Sequence, residues 1–259
     1  MKNSEKYIGV FDSGVGGLTV VKALLEKMPN ENIVYLADSK HMPYGDKSNE
    51  QIIKYVLDDV KFLSNYDLKT ILIACNTADS IASDTIRKNY NIPVYGVIEA
   101  TAKVAAQTSN NHKIGVIATT ATINSNEYPT QISKFEPHSK IYCQACPFLT
   151  PLIEEGKFDI GNVEMRYILE DYLAPLVESN IDTLVLGCTH YDLLTPIIHD
   201  MYPKLNIVSS SRCIIDTLCK QIEKNKSNTS EQLYFVSSDK NRFSDIASMF
   251  MNNIEIREL

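Results

Sequence analysis

Two short segments of this chain place a thiol among polar neighbours: Cys75-Asn76-Thr77 and Cys188-Thr189-His190, each directly after an apolar run. A lone cysteine in such a place is most simply a small buried hydrophobe. Two in matching positions suggest another use, because sheet ends facing each other across a cleft would offer thiols to one small ligand from opposite sides. Opposed bases suit the inversion of a stereocentre, one taking a proton from one face while the other delivers a proton to the second face. That chemistry needs one thiolate and one thiol, which exchange roles with direction. A free thiol titrates at about 8.5, so a helix N-terminus or a neighbouring cation is enough to create the base.

Asp12 and His190 are the titratable groups next to these thiols in motif, and either could order or relay a proton. The simpler alternatives are an N-cap for Asp12 and a backbone hydrogen bond for His190. Asp12, Ser13, Gly14, Gly16 and Gly17 form DSGVGG, a strand-to-helix turn that offers N–H groups to a carboxylate or phosphate, or is a structural turn alone. It is neither a P-loop, having no Gly-Lys-Ser/Thr, nor a complete dinucleotide fingerprint. The loop over residues 38–48, DSKHMPYGDKS, could cap the cleft, with the Tyr44 phenol and the amides near Gly45 holding a substrate carboxylate. Thr119, Thr120 and Thr122 add small hydroxyls at the corresponding place in the second half.

The remaining cysteines carry weaker signals. Cys143 and Cys146 form a single CxxC with no second pair, and His112 and His138 lack zinc-ligand spacing, so no metal is expected. A redox dithiol is the alternative there. Cys213 and Cys219 fall in an apolar helical stretch and are expected to pack.

These residues require a scaffold of strands ending at one edge. Apolar runs at 7–11, 33–37, 70–74, 113–118, 183–186 and 206–209 read as strands, and residues 49–63, 163–177 and 214–222 have helical periodicity. Strand and helix in alternation predict an α/β fold with mainly parallel sheets, whose ligands bind beyond the carboxyl ends of the strands. IGVFDSG from Ile8 matches IGVIATT from Ile114, and TILIACNT ending at Thr77 matches TLVLGCT ending at Thr189. The chain thus reads as two similar, pseudo-two-fold related α/β domains, 1–97 completed by 208–259, and 98–207, with the site in the cleft between them. The stretch 224–232, KNKSNTSEQ, is expected to be a solvated loop.

Composition narrows the function further. The 259 residues are 44% hydrophobic, enough for a sizeable core, and carry a net charge of -7, which argues against a protein that coats nucleic acid or an anionic membrane. No run approaches the roughly 18 apolar residues of a membrane span, and a polar N-terminal tail leads straight into the first strand. A cytoplasmic protein with six free thiols is expected.

Taken together, IGVFDSGVGGLTV, MPYGDKS, IACNTA, IGVIATTATINS, ACPFLTPLIEEG and LGCTHYDLL resemble the cofactor-independent aspartate/glutamate racemase superfamily, on its glutamate-specific branch, through nearly the whole chain. The resemblance implies interconversion of L- and D-glutamate, supply of D-glutamate for peptidoglycan, no cofactor, and a homodimer. Carried over by motif, Cys75 takes the α-proton of D-glutamate and Cys188 that of L-glutamate, with Asp12 and His190 assisting. Asp12, Ser13, Tyr44, Gly45, Asn76, Thr77, Thr189 and His190 bind the amino acid, and Glu154 supports the histidine. Asp192 and Ala100 stand where proline is common in the family, and Ser238 where glycine is. Aspartate racemisation, or binding of an anionic metabolite without chemistry, are the competing readings.

Overall fold

In the computed structural model, which describes residues 6–226 and 229–259, the longest apolar runs become the middle strands of two sheets. The N-terminal tail (1–5) and part of the 224–232 stretch (227–228) lie outside the described residues. The strands are β1 Tyr7–Asp12, β2 Asn32–Ala37, β3 Leu68–Ile73, β4 Val94–Gly96, β5 Lys113–Ala118, β6 Lys140–Ala145, β7 Thr183–Gly187, β8 Asn206–Ser209, β9 Gln232–Val236 and β10 Ile256–Glu258. The helices are α1 Leu18–Lys27, α2 Asn49–Leu63, α3 Asn76–Asn89, α4 Val97–Thr108, α5 Thr120–Asn124, α6 Glu127–Phe135, α7 Leu149–Glu154, α8 Val163–Glu178, α9 Thr195–Met201, α10 Ser210–Gln221 and α11 Lys240–Ala247.

One sheet has the order β10-β9-β2-β1-β3-β4 and the other β6-β5-β7-β8. Every pairing in both is parallel. The order β2-β1-β3-β4 is therefore repeated by β6-β5-β7-β8, the architectural form of the sequence repeat. The motif-bearing strands β1, β3, β5 and β7 are central, and their carboxyl ends deliver DSG, Cys75, Thr119 and Cys188 to one edge.

Strand alternation decides which face each residue covers. Ile8 and Val10 of β1, with Ile33, Tyr35 and Ala37 of β2, belong to a core that continues into the second sheet and its helices. Phe11, Val34 and Leu36 face the other way and pack with Ile52, Val56 and Val60 of α2. Helix α2 starts where its sequence says it should: Ser48 and Gln51 form a reciprocal capping box.

Several elements differ from the periodicity reading. Strands β4 and β10 span three residues each, too short to show a period, and β6 is an edge strand with little burial, so its apolar signal is diluted. Helix α10 begins at Ser210 rather than 214 and ends at Gln221, because Ser209 accepts the Arg212 N–H and starts the helix earlier than the apolar period does.

The chain crosses between the sheets at β4–α4 and at β8–α10. At the first crossing, buried Asp79 of α3 accepts the Ile98 N–H at 2.8 Å, and burial pushes its carboxyl up to about 7 against that bond and the charge of Arg87. Gly96 lies against this carboxylate, and a Cβ there would collide with it. Gly96→Ala is expected to lose about 2 kcal/mol, the usual cost of overpacking a filled interior. Urea unfolding of the variant beside the wild type measures it, and unchanged midpoints would reject the assignment.

Candidate active site

Asp12 ends β1 and is buried. Its Oδ1 accepts the Gly14 N–H at 2.9 Å, and its Oδ2 accepts the Thr189 hydroxyl at 3.3 Å across the cleft. Tyr35 closes the turn by donating to the Gly14 carbonyl at 2.6 Å. Gly16 is required by close approach: a Cβ on it would strike Thr189 and His190 of the opposite loop. The DSGVGG turn thus serves as the contact surface for the second thiol loop.

Cys75 is the N-cap of α3, where its Sγ accepts the Ala78 N–H at 3.5 Å, and the thiol donates to Ser13 Oγ, also at 3.5 Å. Asn76 is fully committed: its Oδ1 accepts the Tyr128 hydroxyl at 2.6 Å and its Nδ2 donates to Ser210 Oγ at 3.2 Å. The Thr77 hydroxyl bridges to Thr119 at 2.9 Å and Thr122 at 3.1 Å, which are themselves 3.0 Å apart.

Cys188 follows β7, with its Sγ 3.8 Å from His190 Nδ1 and 3.8 Å from the Thr150 hydroxyl. The other ring nitrogen of His190 is 3.0 Å from Glu154 Oε1. Tyr191 donates to the Cys146 carbonyl at 2.9 Å and so pins the same turn. Both thiols are largely withdrawn from solvent, with exposures of 6% for Cys75 and 8% for Cys188.

The electrostatics of the two sides differ. Burial pushes Asp12 up to about 6, opposed by the charge of His190 and the bonds from Gly14 and Thr189. Burial also pushes the Cys75 thiol up to about 12, with the Asp12 carboxylate adding to the rise and the Ser13 bond opposing it. For His190 burial acts downward, but bonds to Cys188 and Glu154, together with their charges, outweigh it and bring the imidazole up to about 10. At neutral pH the site holds a thiol at Cys75, a carboxylate at Asp12 and an imidazolium at His190 between sulfur and carboxylate.

A cavity of about 580 Å³ opens beside these groups, lined in part by Gly45, Thr119, Thr120, Thr150 and Glu154. Neither Cys75 nor Cys188 is in its lining; Thr119 connects it to Thr77, and Thr150 and Glu154 connect it to Cys188 and His190. Tyr44 departs from the sequence expectation in one respect. Its buried phenol donates to Asp38 at 2.7 Å, with Asp59 Oδ2 3.2 Å away, so this turn faces the cavity with Gly45 and its backbone instead. Asp38 also receives Ser237 and His41, which locks the loop.

Thr150, Tyr128 and Ser210 were not foreseen. Thr150 precedes Glu154 by one helical turn, a spacing that marks it as a neighbour; Tyr128 and Ser210 carry no local signal. Cys143 is exposed on β6 and Cys146 buried after it, both as free thiols, and no group of three or more metal-ligating side chains occurs among the described residues. Cys213 packs in α10, and Cys219 is partly buried against the same core. No described helix is long and apolar enough to cross a membrane.

Two parallel α/β sheets of like topology, each ending in a buried thiol and joined by hydrogen bonds between their loops, define a class of two-lobed protein whose cleft is equipped for proton transfer. The Asp/Glu/hydantoin racemase family model matches residues 15–218, and the chain belongs to that family. A glutamate racemase of Sulfurihydrogenibium sp. (strain YO3AOP1) is 42% identical over 253 residues, covering 97% of this chain and 96% of the relative. The crystal structure of a glutamate racemase isoform from Bacillus anthracis superposes with a TM-score of 0.93 at 33% identity, covering 99% of this chain and 98% of that one. That of the Francisella tularensis glutamate racemase, in complex with D-glutamate, gives a TM-score of 0.90 at 35% identity over 98% and 95% of the two chains.

Proposed function

We propose that the protein interconverts L- and D-glutamate without a cofactor, Cys188 and Cys75 exchanging the α-proton on opposite faces of the substrate. The observation that carries this reading is the equivalence of the two thiols: they follow β7 and β3, the same strand in two sheets of the same order. The close relatives named glutamate racemase supply the choice of substrate.

In the L-to-D direction, the Cys188 thiolate beside the His190 imidazolium accepts the α-proton. The C–H electron pair stays on the α-carbon and spreads into the α-carboxylate, and the Cys75 thiol releases its proton to the opposite face. Cys188 ends as the thiol and Cys75 as the thiolate, so the reverse reaction runs with roles exchanged. Asp12 acts beside Cys75, and His190, held by Glu154, beside Cys188. Donors aimed at the carboxylate stabilise the charge that develops there. The reading assigns this to the hydroxyl of Ser13, the backbone at Thr189, the N–H groups of Asn76 and Thr77 in the first turn of α3, and the backbone at Tyr44 and Gly45. Asn76 contributes through the backbone because both ends of its amide are engaged.

The same reading divides the chain into lobes of residues 1–97 with 208–259, and 98–207, although β8 itself continues to Ser209. It carries a cytoplasmic homodimer that acts on a small molecule and supplies D-glutamate for peptidoglycan. Incubation with L-glutamate in deuterated water tests the activity: optical rotation should decay to zero with uptake of one α-deuteron, and thiol alkylation should stop it. No D-glutamate from protein with intact thiols rejects the reading, and faster inversion of aspartate would reassign the substrate.

A further inference from the structure

Asp192 stands two residues beyond His190 in the same short turn, Thr189–Leu194, and the two-thiol chemistry leaves it without a task. Its side chain is partly buried, with Oδ1 withdrawn from solvent, and a carboxylate oxygen in such a place must be compensated. Its Oδ2 accepts the Ser211 hydroxyl, while its Oδ1 meets no hydrogen-bond partner among the described residues. Ser211 belongs to a run of three serines at the start of α10. Ser209 Oγ lies 3.1 Å from Ser211 Oγ, and Ser210 Oγ accepts the Asn76 amide at 3.2 Å. Asn76 adjoins Cys75. One helix start therefore grips the backbone behind both thiols, through Asp192 on one side and Asn76 on the other.

The turn itself shows why this grip matters. Thr189 reaches Asp12, His190 reaches Cys188 and Glu154, and Tyr191 reaches the Cys146 carbonyl. These bonds all hold residues that precede Asp192, whose bond to Ser211 holds the turn from the side of α10. A turn gripped from two sides cannot rotate, and rotation is the movement that would carry the imidazole away from sulfur.

We propose that Asp192 is a positioning residue for the Cys188 side, its bond to Ser211 fixing the turn that brings His190 to Cys188. This rests on the two-thiol reading above. The test compares wild type, Asp192→Asn and Ser211→Ala by the primary isotope effects on kcat/KM for α-deuterated L- and D-glutamate. For enantiomers of equal free energy kcat/KM is the same in both directions in any variant, so the isotope effects hold the side-specific information. Glu154→Gln, which acts on the Cys188 side through His190, fixes the sense of the shift.

Asp192→Asn is expected to lower kcat/KM about tenfold, as for loss of one charge-assisted bond. The isotope effect should rise for the enantiomer deprotonated at Cys188 and fall for the other, in the sense of Glu154→Gln. Ser211→Ala, the milder change should Asp192→Asn fold poorly, is expected to shift both in the same sense. A fall in rate with both isotope effects unchanged, or a shift in the opposite sense, overturns the proposal. Wild-type protein that racemises neither enantiomer overturns the two-thiol reading instead, so the two failures are distinct.

Discussion

Replacing Cys188 by serine is expected to lower glutamate racemisation about a thousandfold, within the range that a positioned acid–base group contributes. The hydroxyl fits the space but is a far weaker acid than a thiol, so it can neither serve as the base for one enantiomer nor be regenerated cheaply after protonating the other. Cys75→Ser should have an effect of similar size for the same reason. The two variants differ in what survives. With Cys188 removed, Cys75 still faces one side of the substrate and can exchange the α-proton of D-glutamate with solvent, returning a deuteron to the face it came from. Proton NMR in deuterated water, read with chiral chromatography, should show slow exchange with retention on D-glutamate in Cys188→Ser and on L-glutamate in Cys75→Ser. Either variant racemising within tenfold of wild type would exclude two thiols acting as a pair.

The second large effect concerns Asp12. Its carboxyl titrates at about 6, raised by burial. Above that pH it is the carboxylate that accepts Gly14 and Thr189; below it a proton removes the charge that faces His190 and Cys75. The dependence of kcat/KM on pH, which reports the free protein, should therefore fall tenfold per unit on the acid side of about 6. On the alkaline side His190 loses its proton at about 10, which sets the second limb. Cys75, pushed up to about 12, lies beyond both. Asp12→Asn should cost about a hundredfold at neutral pH and abolish the acid limb. Retention of that limb in the variant would assign it to another group.

Much of this was legible in the chain because the informative signals are local. DSG, CNT and CTH each follow a strand rich in apolar residues, and the strand-to-loop boundary alone brings them to one edge of their sheets. Glu154 was found by likeness, and its place on α7 under His190 gives that likeness a geometry. Pairings at long range were not legible. Tyr128 and Ser210 bond Asn76 from 52 and 134 residues away, and nothing in their neighbours announces it. The partners of the Tyr44 hydroxyl were not legible for a related reason: they are Asp38 and Asp59, and Asp59 sits on the buried face of α2, where an apolar residue is the default. Strands β4 and β10 escaped because three residues cannot display a period, and β6 because an exposed edge strand dilutes its apolar signal.

The seam formed by Thr77, Thr119 and Thr122 has a consequence for how ligand enters. Neutral hydroxyls that serve one another when the lobes meet can be served by water almost one for one when they part, so separation at that edge is nearly isoenergetic. Breathing at that edge should depend little on ionic strength, whereas parting Asp12 from His190 separates opposite charges and should respond to salt.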